Sequence, residues 1–375
     1  MGLIRLFLAV GVLAAHFNSQ VLSDVGIRAH PIWMLNLWSG RAVVFFYIVS
    51  GFLMSYVLHE KYLPTRAGTL AFYRARFLRI YPLWWAVLLI ASALAVYRDV
   101  PTQDFPLSLL PSALLFGTDW LAAYRCYTHT FVLSFPPETG IGWTLGAELT
   151  FYLMAPFVLR RNAVALAALG LSAMVRVAVL SAHIADNNHY IALSYFFFPA
   201  TLMFFMLGHF GAVVYRRWRW STRFSIGLLV AAAALSCLGA SASVDTWGSL
   251  LAAICFALSL PGLFAATKDN RFFNGCGDLT YPLYLTHSLT IAAVFWPLGL
   301  WPGFGSGLAA AVITYFPTKD AAAAALTVMI VAVATLVAWL THVAIEAPAR
   351  RLVDWSIFSL RAPKRTPLLR EYRRP

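Results

Sequence analysis

The stretch that decides the fold is residues 322–345, which read AAAALTVMIVAVATLVAWLTHVAI. A helix needs about 20 apolar residues to cross the hydrocarbon core of a bilayer, and this run is long enough. It contains no Asp, Glu, Lys or Arg. Similar runs recur along the chain and predict ten spans: 3–22, 41–58, 79–98, 143–159, 162–183, 191–215, 224–242, 247–267, 278–299 and 322–345. We therefore expect an all-α polytopic membrane protein, built as a single bundle of about ten transmembrane helices.

The composition excludes an ordinary soluble protein. Of the 375 residues, 61% are hydrophobic and only 11% are charged, whereas soluble domains are about 45–50% apolar and about 25% charged. The four cysteines are widely spaced, with no C-x-x-C and no spacing typical of metal ligands. From this pattern we expect neither a disulfide framework nor a metal site.

The net charge of +13 has two interpretations. In a soluble protein it would suggest nucleic-acid binding, whereas in a membrane protein Lys and Arg accumulate in the cytoplasmic loops. With an inside N-terminus and ten spans, 22 of the 28 Lys and Arg face the cytoplasm. This asymmetry predicts cytoplasmic N and C termini and no nucleic-acid partner. We expect a membrane domain at 1–354 and a short basic cytoplasmic tail at 355–375.

Span one carries two ionisable residues, Arg5 and His16. Eleven residues of helix bring them to within about 20° of the same face, roughly 16 Å apart along the axis. Ionisable side chains inside spans are costly, which makes them functional candidates. The alternative is an Arg that only sets the topology and a histidine that only makes a hydrogen bond within the bundle.

A basic cluster with aromatic neighbours precedes span three and contains Arg74, Arg76 and Arg79. Arg76 and Arg79 share a helix face at i, i+3, and guanidinium groups match phosphate geometry. These residues are candidates for a phosphate-rich ligand, or alternatively for anionic lipid. In span two, Ser50-Gly51 would let another helix approach closely.

Further polar residues lie in the later spans. Glu148 lies about one turn inside span four, five residues after Trp143, and a carboxylate there needs a partner or a function. Span nine contains Tyr281, Tyr284 and His287, of which the last two are again i, i+3. The sequence at 346–350 is interpreted as the membrane exit of the last span.

The order of these motifs along the chain resembles the integral membrane acyltransferase family 3, which includes bacterial O-acetylases of lipopolysaccharide O-antigen and exopolysaccharide. The motifs are Arg5 and His16 in span one, F-F-x-I-x-S-G-F at 45–52, R-I-x-P at 79–82, W-x-L-x-x-E-x-x-F-Y at 143–152, Y-P-x-Y-L-x-H at 281–287 and E-x-P-A-R at 346–350. The resemblance covers nearly the whole chain. It implies ten helices, an acyl-CoA donor drawn from the cytoplasm, and a required Arg5–His16 pair.

Acyl transfer from a thioester to an alcohol needs a base for the hydroxyl and stabilisation of an oxyanion. We predict His16 as the general base of a direct transfer, with Glu148 or a nearby backbone group orienting its ring; a transient acyl-imidazole is the alternative. The residues predicted to hold coenzyme A are Arg5, Arg74, Arg76 and Arg79. Further substrate-binding or structural candidates are Ser50, Trp143, Tyr281, Tyr284 and His287.

The resulting prediction is a membrane O-acyltransferase of a bacterial inner membrane. It would move an acyl group, most simply acetyl, from cytoplasmic acyl-CoA to a hydroxyl of an envelope or exported glycan, without a metal. Its partners would be acyl-CoA, the hydroxyl acceptor and the bilayer. Two alternatives stay open: a transporter or exporter of a sugar or lipid-linked substrate, which also needs buried charges, and a non-catalytic lipid-binding scaffold.

Overall fold

The structure is a computed structural model that describes residues 1–22, 30–97, 105–130, 139–182, 184, 186–218, 220–238, 247–295 and 315–357. These residues form helices joined by short connections, and no strand occurs among them. The helices are α1 Gly2–Phe17, α2 His30–Lys61, α3 Arg66–Tyr97, α4 Phe105–Leu114, α5 Thr118–Tyr127, α6 Gly142–Val158, α7 Asn162–Ser181, α8 Asn187–Ile191, α9 Phe198–Arg217, α10 Thr222–Leu238, α11 Trp247–Thr267, α12 Arg271–Phe295, α13 Lys319–Thr341 and α14 Ala347–Ile357.

The predicted all-helical membrane fold is confirmed. Among the residues that the structure describes, seven helical segments are long and apolar enough to cross a bilayer: Gly2–Leu22, Arg41–Lys61, Arg66–Tyr97, Asn162–Ser181, Asn187–Arg217, Trp247–Thr267 and Lys319–Leu352. The other three predicted spans correspond to α6, α10 and α12. The first two have 17 residues each, and α12 begins with the polar sequence RFFNGCGD. The number of ten spans and the side of each terminus therefore stay predictions, and the predicted tail from residue 358 onward lies outside the described residues.

Glycines allow α2 and α9 to pack with their backbones in contact. A Cβ on Gly51 would lie 1.9 Å from the carbonyl oxygen of Phe205, and one on Gly208 would lie 1.9 Å from that of Ile48. Any side chain at either position would force the two helices apart. The expectation that Gly51 serves close packing is thus confirmed.

The interior forms two apolar clusters. The larger one lies between α2, α3, α6, α9 and α11, with aromatic side chains such as Phe52, Trp84 and Phe205. The smaller one joins α1 to α12 and α13, through residues that include Phe17 and Phe295. The candidate site lies where α1 and α12 meet α2, α3 and α6.

The apolar run at 107–116, which is too short to cross a bilayer, provides most of α4. Three aromatic donors of α3 satisfy carbonyl groups at the end of α4, which have no partner inside their own helix. Trp84 Nε1 donates to Ser112 O at 2.7 Å, and Trp85 Nε1 donates to Ala113 O at 2.9 Å. Tyr81 donates to Leu114 O at 2.5 Å. These bonds hold α4 against the bundle.

Candidate functional site

A cavity lies between α1, α2, α3, α6 and α12. We call it the arginine cavity. Its lining combines apolar and aromatic side chains with a few ionisable ones: Arg5, Val43, Phe46, Tyr47, Val49, Ser50, Leu53, Met54, Arg76, Arg79, Ile80, Thr144, Leu145, Glu148, Tyr152, Thr280, Tyr281 and Tyr284.

Three guanidinium groups share this cavity, from Arg5 on α1 and from Arg76 and Arg79 on α3. Arg5 Nη2 donates to the carbonyl oxygen of Gly277 at 3.0 Å, and a Cβ at Gly277 would lie 2.4 Å from the same nitrogen. The glycine therefore makes room for the arginine. Arg74 is exposed and does not line the cavity.

The arginines keep unused capacity for an anion. Within the described residues, none of the three forms an ion pair with a carboxylate, and the buried Nε–H groups of Arg5 and Arg76 donate to no acceptor. The Arg76 guanidinium lies 5.7 Å from the centre of the Phe72 ring and 5.9 Å from that of Tyr152. Aromatic faces thus hold Arg76 in place, and Nη1 makes a long contact of 3.7 Å with Met54 Sδ.

Glu148 lies in the same cavity and makes two hydrogen bonds through one oxygen. Ser50 Oγ donates to Glu148 Oε1 at 2.6 Å, and the hydroxyl of Tyr152 donates to the same atom. Ser50 and Tyr152 are themselves 3.5 Å apart. The structure therefore assigns Ser50 a polar partner beyond its expected packing role. Tyr152, four residues after Glu148, was missed by the sequence analysis, although i, i+4 pairs are readable from a helical pattern.

His16 pairs with His287, and this corrects the prediction that Glu148 or a backbone group orients its ring. Nδ1 of His16 lies 2.7 Å from Nε2 of His287, and the two rings stack with their centres 5.0 Å apart. His287 is fully buried, whereas His16 keeps part of its surface accessible. Glu148 is instead bonded to Ser50 and Tyr152.

The hydrogen bonds determine where the protons of a neutral histidine pair reside. Nδ1 of His287 lies 2.6 Å from the carbonyl oxygen of Tyr284, which can only accept, so Nδ1 carries the proton. Nε2 of His287 is then an acceptor, and it receives the Nδ1 proton of His16. Nε2 of His16 is left with a free lone pair. The two hydrogen bonds that link Tyr284, His287 and His16 therefore leave an acceptor nitrogen on the more accessible ring, that of His16.

Tyr284 connects the histidine pair to the arginine cavity. Its hydroxyl lies in the cavity wall, 2.8 Å from Thr144 Oγ1, and its ring centre is 5.8 Å from that of His287. Tyr281, one turn earlier, donates to Ile80 O at 2.7 Å and ties α12 to α3. Trp143 packs against Tyr195 outside the cavity lining, so its observed contacts are structural.

The segment interpreted as a membrane exit forms an ion-pair network. Glu346 is 1% exposed; its Oε2 lies 2.9 Å from His342 Nδ1 and its Oε1 lies 3.6 Å from Arg350 Nη1. Arg350 also pairs with Asp278 of α12 at 2.9 Å. These contacts fasten the end of the last span to the helix that carries Tyr281, Tyr284 and His287.

Comparison with known proteins agrees with the motif order. A family model described as an acyltransferase domain matches residues 1–343. The chain belongs to the family 3 membrane acyltransferases. It is similar to nodulation protein 10 of Rhizobium leguminosarum bv. viciae, with 25% identity over 330 residues, covering 80% of this chain and 85% of the relative.

A second relative is acyltransferase MdmB of Streptomyces mycarofaciens, which is 26% identical over 381 residues, covering 93% of this chain and 91% of the relative. No solved structure shows a significant match to the chain. The family match begins at residue 1 and includes Arg5, His16, the arginine cavity and His287. The chain is therefore a membrane protein of a family that transfers acyl groups.

Proposed function

We propose that this protein is an O-acyltransferase of a bacterial inner membrane that moves an acyl group, most simply acetyl, from cytoplasmic acyl-CoA to a hydroxyl of an envelope or exported glycan. The observation that carries the proposal is the arginine cavity beside the His16–His287 pair. The cavity offers a site for an anionic donor, and the pair offers a base. Acyl transfer itself is the activity of the family, and one relative is named as an acyltransferase.

The donor part of the proposal rests on charge. Coenzyme A is polyanionic through its phosphates, and planar guanidinium groups bind phosphate oxygens in a bidentate manner. Arg5, Arg76 and Arg79 form no ion pair with a carboxylate among the described residues, and Glu148 is the one carboxylate that lines the cavity with them. Burying an excess of cations is costly, and an anionic ligand offsets that cost.

The chemical step uses His16 as general base. Its Nε2 takes the proton of the acceptor hydroxyl as the oxygen attacks the thioester carbonyl. A C–O bond forms, and the carbonyl electrons move onto oxygen to give a tetrahedral intermediate. Collapse of the intermediate breaks the C–S bond, and the thiolate leaving group takes the proton back from the His16 imidazolium. His287 holds the His16 ring and its tautomer throughout.

The decisive experiment measures thioester turnover by purified protein in lipid nanodiscs. Incubation with acetyl-CoA and envelope glycan extract should release free coenzyme A and place labelled acetate on the glycan as an ester. A transporter or a lipid-binding scaffold would consume no thioester. Mass spectrometry of envelope glycans from cells with and without the protein identifies the acceptor. A folded preparation that releases no coenzyme A from any acyl donor would overturn the proposal.

A further inference from the structure

Three metal-ligating side chains meet outside the arginine cavity, at the junction of α5 and α8. They are His129, two residues after α5, and Asp186 and His189, at the start of α8. Each offers one ligand atom, and these atoms all lie within 4.8 Å of one another. We call this group the outer triad. Both connections are predicted to face away from the cytoplasm, and the mechanism above does not use them.

We propose that the outer triad binds a divalent transition-metal ion of the Zn²⁺ class, with two imidazole nitrogens, one carboxylate oxygen and a water molecule as ligands. Two ligands at about 2.0–2.1 Å from a tetrahedral zinc ion lie about 3.3 Å apart. His129 Nε2 and Asp186 Oδ2 are 3.3 Å apart, so this edge of the tetrahedron is already formed. Imidazole and carboxylate together favour Zn²⁺ over Ca²⁺ or Mg²⁺, which prefer oxygen alone.

The Asp186 carboxylate is held in place for this role. Its Oδ1 accepts the backbone N–H groups of Asn188 and His189, at 2.8 and 2.9 Å. Those bonds occupy one oxygen and leave Oδ2 directed at His129. The ring of His189 stacks on Tyr127, with the ring centres 4.1 Å apart. The ligand atoms of the triad all lie within 4.8 Å of one another, so closing the remaining edges to about 3.3 Å needs side-chain movements of at most about 1.5 Å.

Metal-binding histidines usually use their second nitrogen to bond a fixed partner, which orients the ring. His129 Nδ1 has such a partner, the side-chain amide of Asn188 at 2.9 Å. With the metal on Nε2, Nδ1 carries a proton, and a half-turn of the amide places its oxygen opposite that proton. The backbone of Asn188 is also held, because its main-chain carbonyl oxygen accepts a hydrogen bond from Cys126 Sγ at 3.3 Å.

A metal ion at this position would join α5 to α8 and so brace the outer side of the bundle. Helix α5 begins against α6, where a Cβ on Gly146 would meet Thr118 Oγ1 at 2.2 Å. Gly146 is two residues from Glu148, so the position of α5 is connected to the wall of the arginine cavity. The site is thus inferred to stabilise the structure around the active site.

The test uses full-length protein carrying a histidine-free tag, stripped with EDTA and dialysed against Zn²⁺. Elemental analysis should find one tightly bound Zn²⁺ per chain, and Co²⁺ should give the visible absorption of a tetrahedral N,O site. His129→Ala and Asp186→Asn should each weaken Zn²⁺ binding at least about tenfold, and Asn188→Ala should weaken it about 10- to 100-fold. His59→Ala, at an exposed histidine on α2, is the matched control and should leave binding unchanged.

Three results would overturn the proposal, and the first two need no variant. The first is a wild-type protein that binds no stoichiometric Zn²⁺ above the background set by unrelated surface histidines. The second is Co²⁺ binding without a tetrahedral absorption signature. Equal Zn²⁺ affinity in the wild type and in a well-folded His129→Ala variant would likewise assign the triad to an ordinary hydrogen-bonded ion pair. Because binding is measured without acyl transfer, the outcome is independent of the proposed function.

Discussion

His287 is expected to act as a positioning residue for the base, and His287→Leu is the perturbation that tests this role. The substitution removes the acceptor of the His16 Nδ1 proton, which lies 2.7 Å away. An unsatisfied buried donor costs about 1–3 kcal/mol. If this cost raises the free energy of the His16 tautomer that carries its proton on Nδ1, the rate of acyl transfer should decrease about 5- to 150-fold.

The assay is the initial rate of coenzyme A release at saturating acetyl-CoA, with donor affinity measured separately by equilibrium binding. We expect kcat to fall while donor affinity stays unchanged, because the histidine pair does not line the arginine cavity. His287→Gln keeps an amide oxygen that can accept the Nδ1 proton, so it should restore part of the rate. A general loss of packing would not distinguish Gln from Leu in this way.

The comparison with His16 sets the scale of the effect. Loss of the base itself should cost about 100- to 10,000-fold, which is more than the loss of its orienting partner. A His287→Leu variant with normal kcat would refute the relay from Tyr284 through His287 to His16. A fall in rate that Gln does not relieve, together with weaker donor binding, would instead indicate a structural role for His287.

Three further predictions concern the donor site, a buried carboxylate and the helix packing. Arg76→Ala should weaken acyl-CoA binding at least about tenfold, because it removes from the cavity a guanidinium group that can donate hydrogen bonds to phosphate. Arg74→Ala, at an exposed residue of the same helix, should leave the affinity unchanged. Equilibrium binding of acetyl-CoA measures both variants. Burial raises the pKa of the Asp119 carboxyl from 3.8 to about 6. The contribution of Asp119 to the stability of the folded state is therefore fully present below about pH 4, where the carboxyl is protonated, and is lost as the pH rises through 6. Asp119→Asn should therefore raise the thermal midpoint at pH 7.5 and flatten its pH dependence; an unchanged pH profile would contradict this. Gly208→Val should lower the yield of folded protein sharply, because its Cβ would lie 1.9 Å from a backbone oxygen of α2. Gly170→Val is the control and should leave the yield unchanged, because no atom lies within 4 Å of a Cβ at that position. Size-exclusion profiles of the two variants measure the difference.

The fold was largely predictable because the apolar runs are long and local. The last run, 322–345, required no knowledge of the rest of the chain, and it provides most of α13, Lys319–Thr341. The shorter helices α6, α10 and α12 are harder, because their lengths or polar residues alone do not distinguish a span from a buried helix. Their place in the bundle depends on packing against neighbours that are distant in the sequence.

The candidate site was predictable in its residue types and less so in its pairings. Helical spacing correctly grouped Arg76 with Arg79, and the same spacing turns Arg74 by about 200° from Arg76, away from the cavity. The pairing of His16 with His287 was not predictable, since it depends on how α1 packs on α12 across 271 residues. The proximity of His129, Asp186 and His189 was not predictable for the same reason, because these residues come from two separate parts of the chain and not from one short motif.

The central claim is that His16 removes a proton from the acceptor while the arginine cavity holds acyl-CoA. The most direct test is the transfer of labelled acetate from acetyl-CoA to glycan by purified wild-type protein and by His16→Ala, with acetyl-CoA binding measured on the same samples. The account predicts ester-linked label with the wild type, a loss of about 100- to 10,000-fold with His16→Ala, and unchanged acetyl-CoA affinity in both. Near-normal transfer by a well-folded His16→Ala variant would contradict it.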